Sequence, residues 1–353
     1  MEHENRKALV AILAGGYSPE GAVALWSGKH LEKIFEGDKD YHTYLIHVNK
    51  DGWHYEDAKS NGQRFHVDRN DFTLLLPTEG KIKFDLAVLF VGGSPGEDGQ
   101  LQGYLQITKV PFVGCDLLSS AVTFNKSIAS RLVRSFNSPV VHVSPSIDVF
   151  YSVPIGDSTV LSTLNTGYLS LPVIVKPANS GSSLGVSKVS DISQLTSALA
   201  RAFEESNHII VEQFIHGREI TVGVFRISNQ IQILPITEIV HSNKSAFYDA
   251  QTKLEGNDET QVITPANLSE DTKKRVEAGA IELYEKFHLN GLVRIDLMLQ
   301  YPDEKVFFLE VNSAPGQTEY SIITQQLAKA GWQGARLVDF YKQLFKEALV
   351  IKY

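Results

Sequence analysis

The chain has a single cysteine, Cys115, so no intramolecular disulfide can form. It has no apolar run long enough to span a bilayer. The most apolar early stretch, Ala8 to Ala14, is far too short and reads as a buried strand. Nothing near Met1 combines a basic start with a long apolar run, and a cytoplasmic protein without a membrane partner is expected. Positive charge is also in deficit. The 33 Lys and Arg residues stand against 41 Asp and Glu, and the resulting net charge of −8 argues against a general nucleic-acid surface. Local Lys and Arg groups remain available for the phosphates of a nucleotide. Two other signals are missing: there is no internal repeat, and no G-x-G-x-x-G follows the first strand, which excludes the dinucleotide fingerprint there.

What is present is an ordinary folded composition, 43% hydrophobic with 10% aromatics. A length of 353 residues exceeds what one core usually organises, so two or three units are expected. The first third alternates A-L-V-A-I-L-A, a helix near Ala22 to Phe35, Y-H-T-Y-L-I-H-V and F-D-L-A-V-L-F, a pattern that predicts a parallel sheet. Gly15-Gly16 and Gly92-Gly93 fall at strand ends, where open α/β sheets bind ligands. A second unit begins near Asp116, with a helix from Asn125 to Phe136 and a Gly/Ser turn between two strand-like runs. A third contains a helix from about Asp271 to Phe287, the paired strands G-L-V-R-I-D-L-M-L and K-V-F-F-L-E-V, and a closing helix from about Trp332. The predicted division is 1–115, 116–211 and 212–353. Residues 238–264 form a polar, aperiodic stretch with the length of an active-site lid.

The chemistry concentrates near the end. Glu310 and Asn312 are two apart and share a strand face, and Asp296 can meet them from the neighbouring strand. Hard oxygen donors in that pattern suit Mg²⁺ bridging phosphates; the alternative is three solvated strand residues. Arg294 shares the face of Asp296 and could hold an oxyanion or a carboxylate, or be the structural partner of Asp296. Gly316, in A-P-G-Q-T, permits close backbone approach and an N–H donor. Lys176 precedes the Gly/Ser turn 181–185, which reads either as a phosphate cradle or as a simple hairpin. Lys126 is a second phosphate cation or an exposed helix lysine. Glu212 and Glu219 could accept hydrogen bonds from adenine and ribose; for Glu219 the alternative is an ion pair with Arg218.

Together these strings resemble the D-alanine–D-alanine ligases of the ATP-grasp superfamily. The resemblance runs from A-G-G-Y-S-P-E (14–20) through P-G-E-D-G-Q-L-Q-G-Y-L (95–105), V-I-V-K-P-A-N-S-G-S-S-L-G (173–185) and F-Y-D (247–249). It continues in R-I-D-L-M-L (294–299) and E-V-N-S-A-P-G-Q-T (310–318). It implies an α/β and α+β chain with the ATP-grasp fold behind an N-terminal parallel-sheet domain. The implied activity joins two D-alanines through an acyl phosphate, for peptidoglycan precursors, with ATP as co-substrate and Mg²⁺ or Mn²⁺ as metal. By matching motif positions, Lys126, Lys176, Glu212, Glu219 and Lys253 would contact ATP, with Phe247 near its base. Asp296, Glu310 and Asn312 would hold the metal. Glu20 would bind the first substrate's ammonium, with Ser182 helping to fix that region. Arg294 and the Gly316 N–H would stabilise the tetrahedral intermediate, and Ser321 would meet the second carboxylate. The resemblance also implies a homodimer.

The departures from the family pattern surround the amino-acid pocket. Gly92 stands where the family has His, Leu254 where it has an aromatic, Ser180 where an acid is common and Gln317 where Met is common. They keep open a different acceptor, D-lactate or another amino acid. A non-catalytic nucleotide-binding protein is the alternative of another class.

Overall fold

The computed structural model describes residues 6–57, 62–151, 158–181, 183–241 and 260–351. Three sheets organise them. In the first, β1 (Ala8–Gly15) leads to helix α1 (Gly21–Ile34), followed by β2 (Tyr41–Asn49), β3 (Gly52–Asp57), β4 (Gln63–Asp68), β5 (Thr73–Leu76), β6 (Gly80–Lys83) and β7 (Leu86–Val91). Helix α2 (Gln100–Ile107) and β8 (Phe112–Val113) complete it. The strand order is β6-β5-β4-β3-β2-β1-β7-β8. Strands β2, β1, β7 and β8 run parallel, as the alternating pattern predicts. Val10 to Ala14 are fully buried because both faces of this sheet are covered, which is why β1 is an unbroken apolar run. The remaining strands are an antiparallel extension from β2 to β6. Most are short and polar, such as Gln63–Asp68, and give no apolar run to read.

The predicted helix from Asn125 to Phe136 is present, with those two residues as its caps, and a short further helix precedes it. Helix α3 (Leu117–Phe124) stops at Asn125, whose extended backbone breaks the helix while its side chain accepts from the Ile128 N–H at 2.9 Å to cap α4 (Lys126–Ser135). Lys126 thus sits on the first turn of a new helix. Then come β9 (Val141–His142), β10 (Ser146–Phe150), α5 (Ser158–Asn165), β11 (Val173–Pro177), β12 (Ser187–Val189), α6 (Leu195–Glu205) and β13 (His208–Gln213). The second sheet is antiparallel, in the order β10-β13-β11-β12.

The third sheet comprises β14 (Gly217–Ile227), β15 (Gln230–Ile233), β16 (Thr237–His241), β17 (Thr260–Ile263), β18 (Leu292–Gln300) and β19 (Lys305–Asn312). Helices α7 (Glu270–Lys286), α8 (Ile322–Lys329) and α9 (Ala335–Val350) accompany it. Its order is β17-β16-β14-β18-β19-β9, with β15 also on β14. β9 therefore leaves the second unit's sequence to join the third sheet. Ala129, Val133 and Val141 pack in the same core as Val293, Ile295 and Val311. The ends of the predicted 238–264 stretch are strands: β16 and β17 pair with each other, Glu238 opposite Ile263. Between them, 242–259 lies outside the described residues, as do Ser182, Phe247, Lys253 and Leu254.

Helix α9 closes the molecule by returning to the first sheet. Phe340, Tyr341, Leu344 and Phe345 share one core with Val10, Ile12, Leu86 and Val88, and Phe345 stacks on Phe35 at 5.1 Å between ring centroids. At about 1.5–3 kcal/mol for each large apolar side chain removed from water, this cluster ties the chain's last helix firmly to its first strands.

Candidate active site

The centre of the site is the β18–β19 strand pair. Asp296 stands directly opposite Glu310, and Arg294 opposite Asn312. The register slips immediately after Asp296, where Leu297 pairs with Phe308, a bulge that re-aims the side chains beside it. Asn312 donates from Nδ2 to Asp296 Oδ2 at 3.0 Å and reaches Glu310 Oε1 at 3.5 Å. Two carboxylates and an amide side chain are therefore clustered, and with the amide turned over its oxygen would complete the hard donor set that suits Mg²⁺. On the other side β14 places Thr221 opposite Asp296, and its hydroxyl donates to Asp296 Oδ1 at 2.5 Å.

Three carboxylates of this region, Asp296, Glu310 and Glu212, each hold a cation. Arg294 clamps Asp296 bidentately, Nε to Oδ1 at 2.9 Å and Nη2 to Oδ2 at 2.8 Å. Lys126 Nζ lies 3.0 Å from Glu310 Oε2 and donates to the Ser180 carbonyl at 2.5 Å. Lys176, buried on β11, pairs with Glu212 of β13 at 2.6 Å. Burial alone would raise the Glu310 carboxyl, but Lys126, then Arg294, then Lys176 outweigh it and hold it down at about 2. Glu310 is thus ionised at neutral pH. Arg218 goes to Glu238 at 2.8 Å and to Glu304 at 3.2 Å, so the alternative pairing considered for Glu219 is not what occupies this guanidinium. Adjacent residues on a strand face opposite ways, which explains the separation.

Two adjoining cavities meet at this cluster. One, of about 420 Å³, lies between the second and third sheets and is lined by Lys126, Lys176, Glu212, Glu219, Asp296 and Glu310, with Phe214, Ile239 and Met298 as apolar walls. The other is lined by Glu20, Arg294, Glu310, Asn312, Gly316 and Ser321. Lys126, Ser180, Gly181 and Glu310 border both. Every candidate within the described residues lines one of the two. Of the turn after Lys176, the N–H groups of Leu184 and Val186 are spent on the turn itself, bonding to Gly181 and Ser183 carbonyls.

The glycine at 92 has a steric reason. A Cβ there would lie 2.9 Å from the Glu20 Cβ, so the side chain of Glu20 occupies the space that a larger residue at 92 would need. Gly316 is different: a Cβ would meet nothing nearer than Ser321 Oγ at 3.5 Å. The fold does not demand glycine at 316; the room there opens into the cavity.

Sequence reasoning misses three supports. Thr221 has no motif around it and is found only through the β14–β18 register. Ser27 on α1, 290 residues from its partner, accepts the Gln317 N–H at 3.0 Å. Tyr341 on α9 donates to the Gln317 side-chain oxygen at 2.7 Å. The turn carrying Gly316 is thereby held from both ends of the chain. Ser321 completes it: its Oγ accepts the Thr318 N–H at 2.9 Å.

Comparison with known proteins agrees with this geometry. The family model described as D-ala D-ala ligase N-terminus matches residues 9–115, and D-ala D-ala ligase C-terminus matches 157–341. The chain belongs to the D-alanine–D-alanine ligase family. A D-alanine--D-alanine ligase of Phocaeicola vulgatus is 37% identical over 325 residues, covering 92% of this chain and 95% of that protein. Among solved structures, D-alanyl-alanine synthetase A from Vibrio cholerae superposes with a TM-score of 0.83 at 26% identity, covering 98% of this chain and 99% of the other. VanG D-Ala:D-Ser ligase from Enterococcus faecalis gives 0.81 at 25% identity, covering 97% and 100%. The ATP-grasp fold expected from the motifs is thus the fold of the ligase family to which the chain belongs, a family of ATP-dependent enzymes. No helix among the described residues is long and apolar enough to cross a membrane.

Proposed function

We propose that this protein joins two D-alanines at the expense of ATP, forming D-alanyl-D-alanine, ADP and phosphate for peptidoglycan precursors. The observation that carries this reading is the row of three cation–carboxylate pairs, Lys126–Glu310, Lys176–Glu212 and Arg294–Asp296, where a nucleotide-sized cavity meets a smaller one. Such pairs can exchange partners: the cations turn to phosphate oxygens while Asp296, Glu310 and Asn312 hold Mg²⁺. Bound there, Mg²⁺ supplies neutralisation of the charge on the β- and γ-phosphates.

In the larger cavity Lys126 and Lys176 orient the triphosphate, and Glu212 and Glu219 receive the ribose and adenine donors. Phe247 and Lys253 belong to the same nucleotide set. In the smaller one Glu20 pairs with the ammonium of the first D-alanine, with Ser182 fixing that region. The carboxylate of that D-alanine attacks the γ-phosphorus of ATP, and ADP leaves. The amine of the second D-alanine, deprotonated, then attacks the acyl carbon. Arg294 and the Gly316 N–H receive the negative charge that develops on the carbonyl oxygen, preorganised donors being worth most where water is excluded. Phosphate departs as the peptide bond forms. Ser321 holds the second carboxylate. A homodimer in the cytoplasm is part of the same reading, and sedimentation checks the dimer.

Incubating purified protein with Mg·ATP and D-alanine tests the reaction: equal amounts of phosphate and dipeptide are expected, and no dipeptide would sink it. A second reading keeps the chemistry and changes the acceptor. It is favoured by Gly92, which leaves its space to Glu20 where the family has an imidazole. Competing D-alanine against D-serine and D-lactate across pH separates the two, because an amine must lose its proton to attack and a hydroxy acid shows no such ammonium titration.

A further inference from the structure

Outside the residues that line the ligase cavities, three histidines form one row across adjacent strands. His47 of β2 is directly opposite His54 of β3, and His54 is directly opposite His66 of β4. Directly opposed residues in antiparallel strands project to the same face, and Glu56, two residues from His54, joins that face. The His47 and His54 rings lie nearly parallel, with centroids 5.0 Å apart and planes at 21°. His54 Nε2 is 3.4 Å from Glu56 Oε1. One ligating atom from each of His47, His54 and Glu56 falls within 4.8 Å of the others. The His66 ring is 6.1 Å from that of His54 and is exposed at the open side.

Two imidazole rings and a carboxylate thus face one another on a single side of the ribbon, each able to offer one ligand atom. The competing partner is Arg64, opposite Glu56 and 2.9 Å from its Oε1. Its side chain is 64% exposed, so it can swing into solvent at little cost.

We propose that His47, His54 and Glu56 form a binding site for a divalent transition-metal ion of the Zn²⁺ class, with His66 or water as fourth ligand. Two imidazoles and one carboxylate select Zn²⁺, Co²⁺ or Ni²⁺ over Mg²⁺, the opposite preference to the all-oxygen cluster at Asp296, Glu310 and Asn312. Ligand–metal bonds of about 2.0–2.2 Å require the three donors to close by roughly an ångström, a change side-chain rotation supplies without moving the hydrogen-bonded strands. The ion would staple β2, β3 and β4 together at the root of the antiparallel extension. Because it binds only the folded ribbon, it raises stability in proportion to the logarithm of its concentration.

The test is a Co²⁺ titration of tag-free, full-length protein in saturating Mg²⁺, read by visible d–d absorption, with bound metal counted after dialysis against Zn²⁺. One equivalent that Mg²⁺ does not displace is expected, with a thermal midpoint raised by Zn²⁺. His47→Gln and Glu56→Gln, at half-buried positions, should each weaken uptake at least about tenfold. Arg64→Ala should tighten it, since it removes the competitor. Far-UV circular dichroism and retained ligase turnover confirm that each variant is folded. Absence of a Mg²⁺-resistant equivalent in wild type, or equal uptake by wild type and both ligand variants, overturns the proposal.

Discussion

The β18–β19 strand pair and the turn at 313–321 line the same cavity but are positioned by different means. On the strands, Arg294, Asp296, Glu310 and Asn312 are placed by two local rules, alternation along a strand and register across it. In the turn, Gly316 and Ser321 follow no repeating geometry. Their placement depends on Ser27 from α1 and Tyr341 from α9, both brought in by the tertiary fold. The contrast teaches that the proposed metal-binding residues are placed by one hairpin, whereas the proposed acceptor side depends on how the first sheet, the third sheet and the last helix assemble.

Substitutions can break that comparison. The largest effect is expected on the strands: Asp296→Asn or Glu310→Gln should reduce dipeptide formation on the order of 10³-fold, and chelating Mg²⁺ should abolish it reversibly, both followed by phosphate release. Next comes Gly316→Ala. A Cβ fits the protein there, so the variant should fold with an unchanged denaturation midpoint while turnover falls by about 10²-fold, the usual scale for disturbing one oxyanion donor. A midpoint that fell with the turnover would show that glycine serves the fold instead.

Smaller is the loss expected from Tyr341→Phe, which leaves the buried Gln317 oxygen without its phenolic donor at a cost of about 1–3 kcal/mol. If the turn relaxes, KM for the second amino acid should rise about tenfold while KM for ATP stays unchanged. A uniform change in both constants would mean that the turn and the strands move together after all.

The smallest effect tests a region outside both. Burial alone would raise the Asp148 carboxyl, but hydrogen bonds from Ser127 and His208, together with Arg131, hold it below the ordinary value. The folded pKa is the lower one, so the unfolded chain binds more protons between the two values. The stabilisation is complete above the unfolded value of about 4 and is lost as pH falls through the folded one. Asp148→Asn should therefore flatten the acid limb of stability measured by urea midpoints, with about 1 kcal/mol or less at neutral pH because the pair is partly screened. Ligase turnover near neutral pH should not change.

Much of the site is legible in the sequence. Asp296, Glu310 and Asn312 are recognisable because a strand repeats every two residues, and Lys176 because a Gly/Ser turn follows an apolar run. The short helix α3 ahead of Asn125 is not, since its 8 residues carry little more than two turns of periodicity. Nor is the antiparallel extension, whose strands are short and polar on one face.

By itself, then, the sequence determined the chemistry: strand alternation brings acids, an amide and a guanidinium onto one hairpin face, and such local geometry needs only backbone periodicity. The tertiary structure alone decided what that hairpin faces. It set Lys126 on the first turn of α4 against Glu310, Thr221 against Asp296, and Ser27 and Tyr341 on either side of Gln317. Those contacts join residues separated by up to 290 positions, and only packing of the three sheets and α9 brings them within hydrogen-bonding distance.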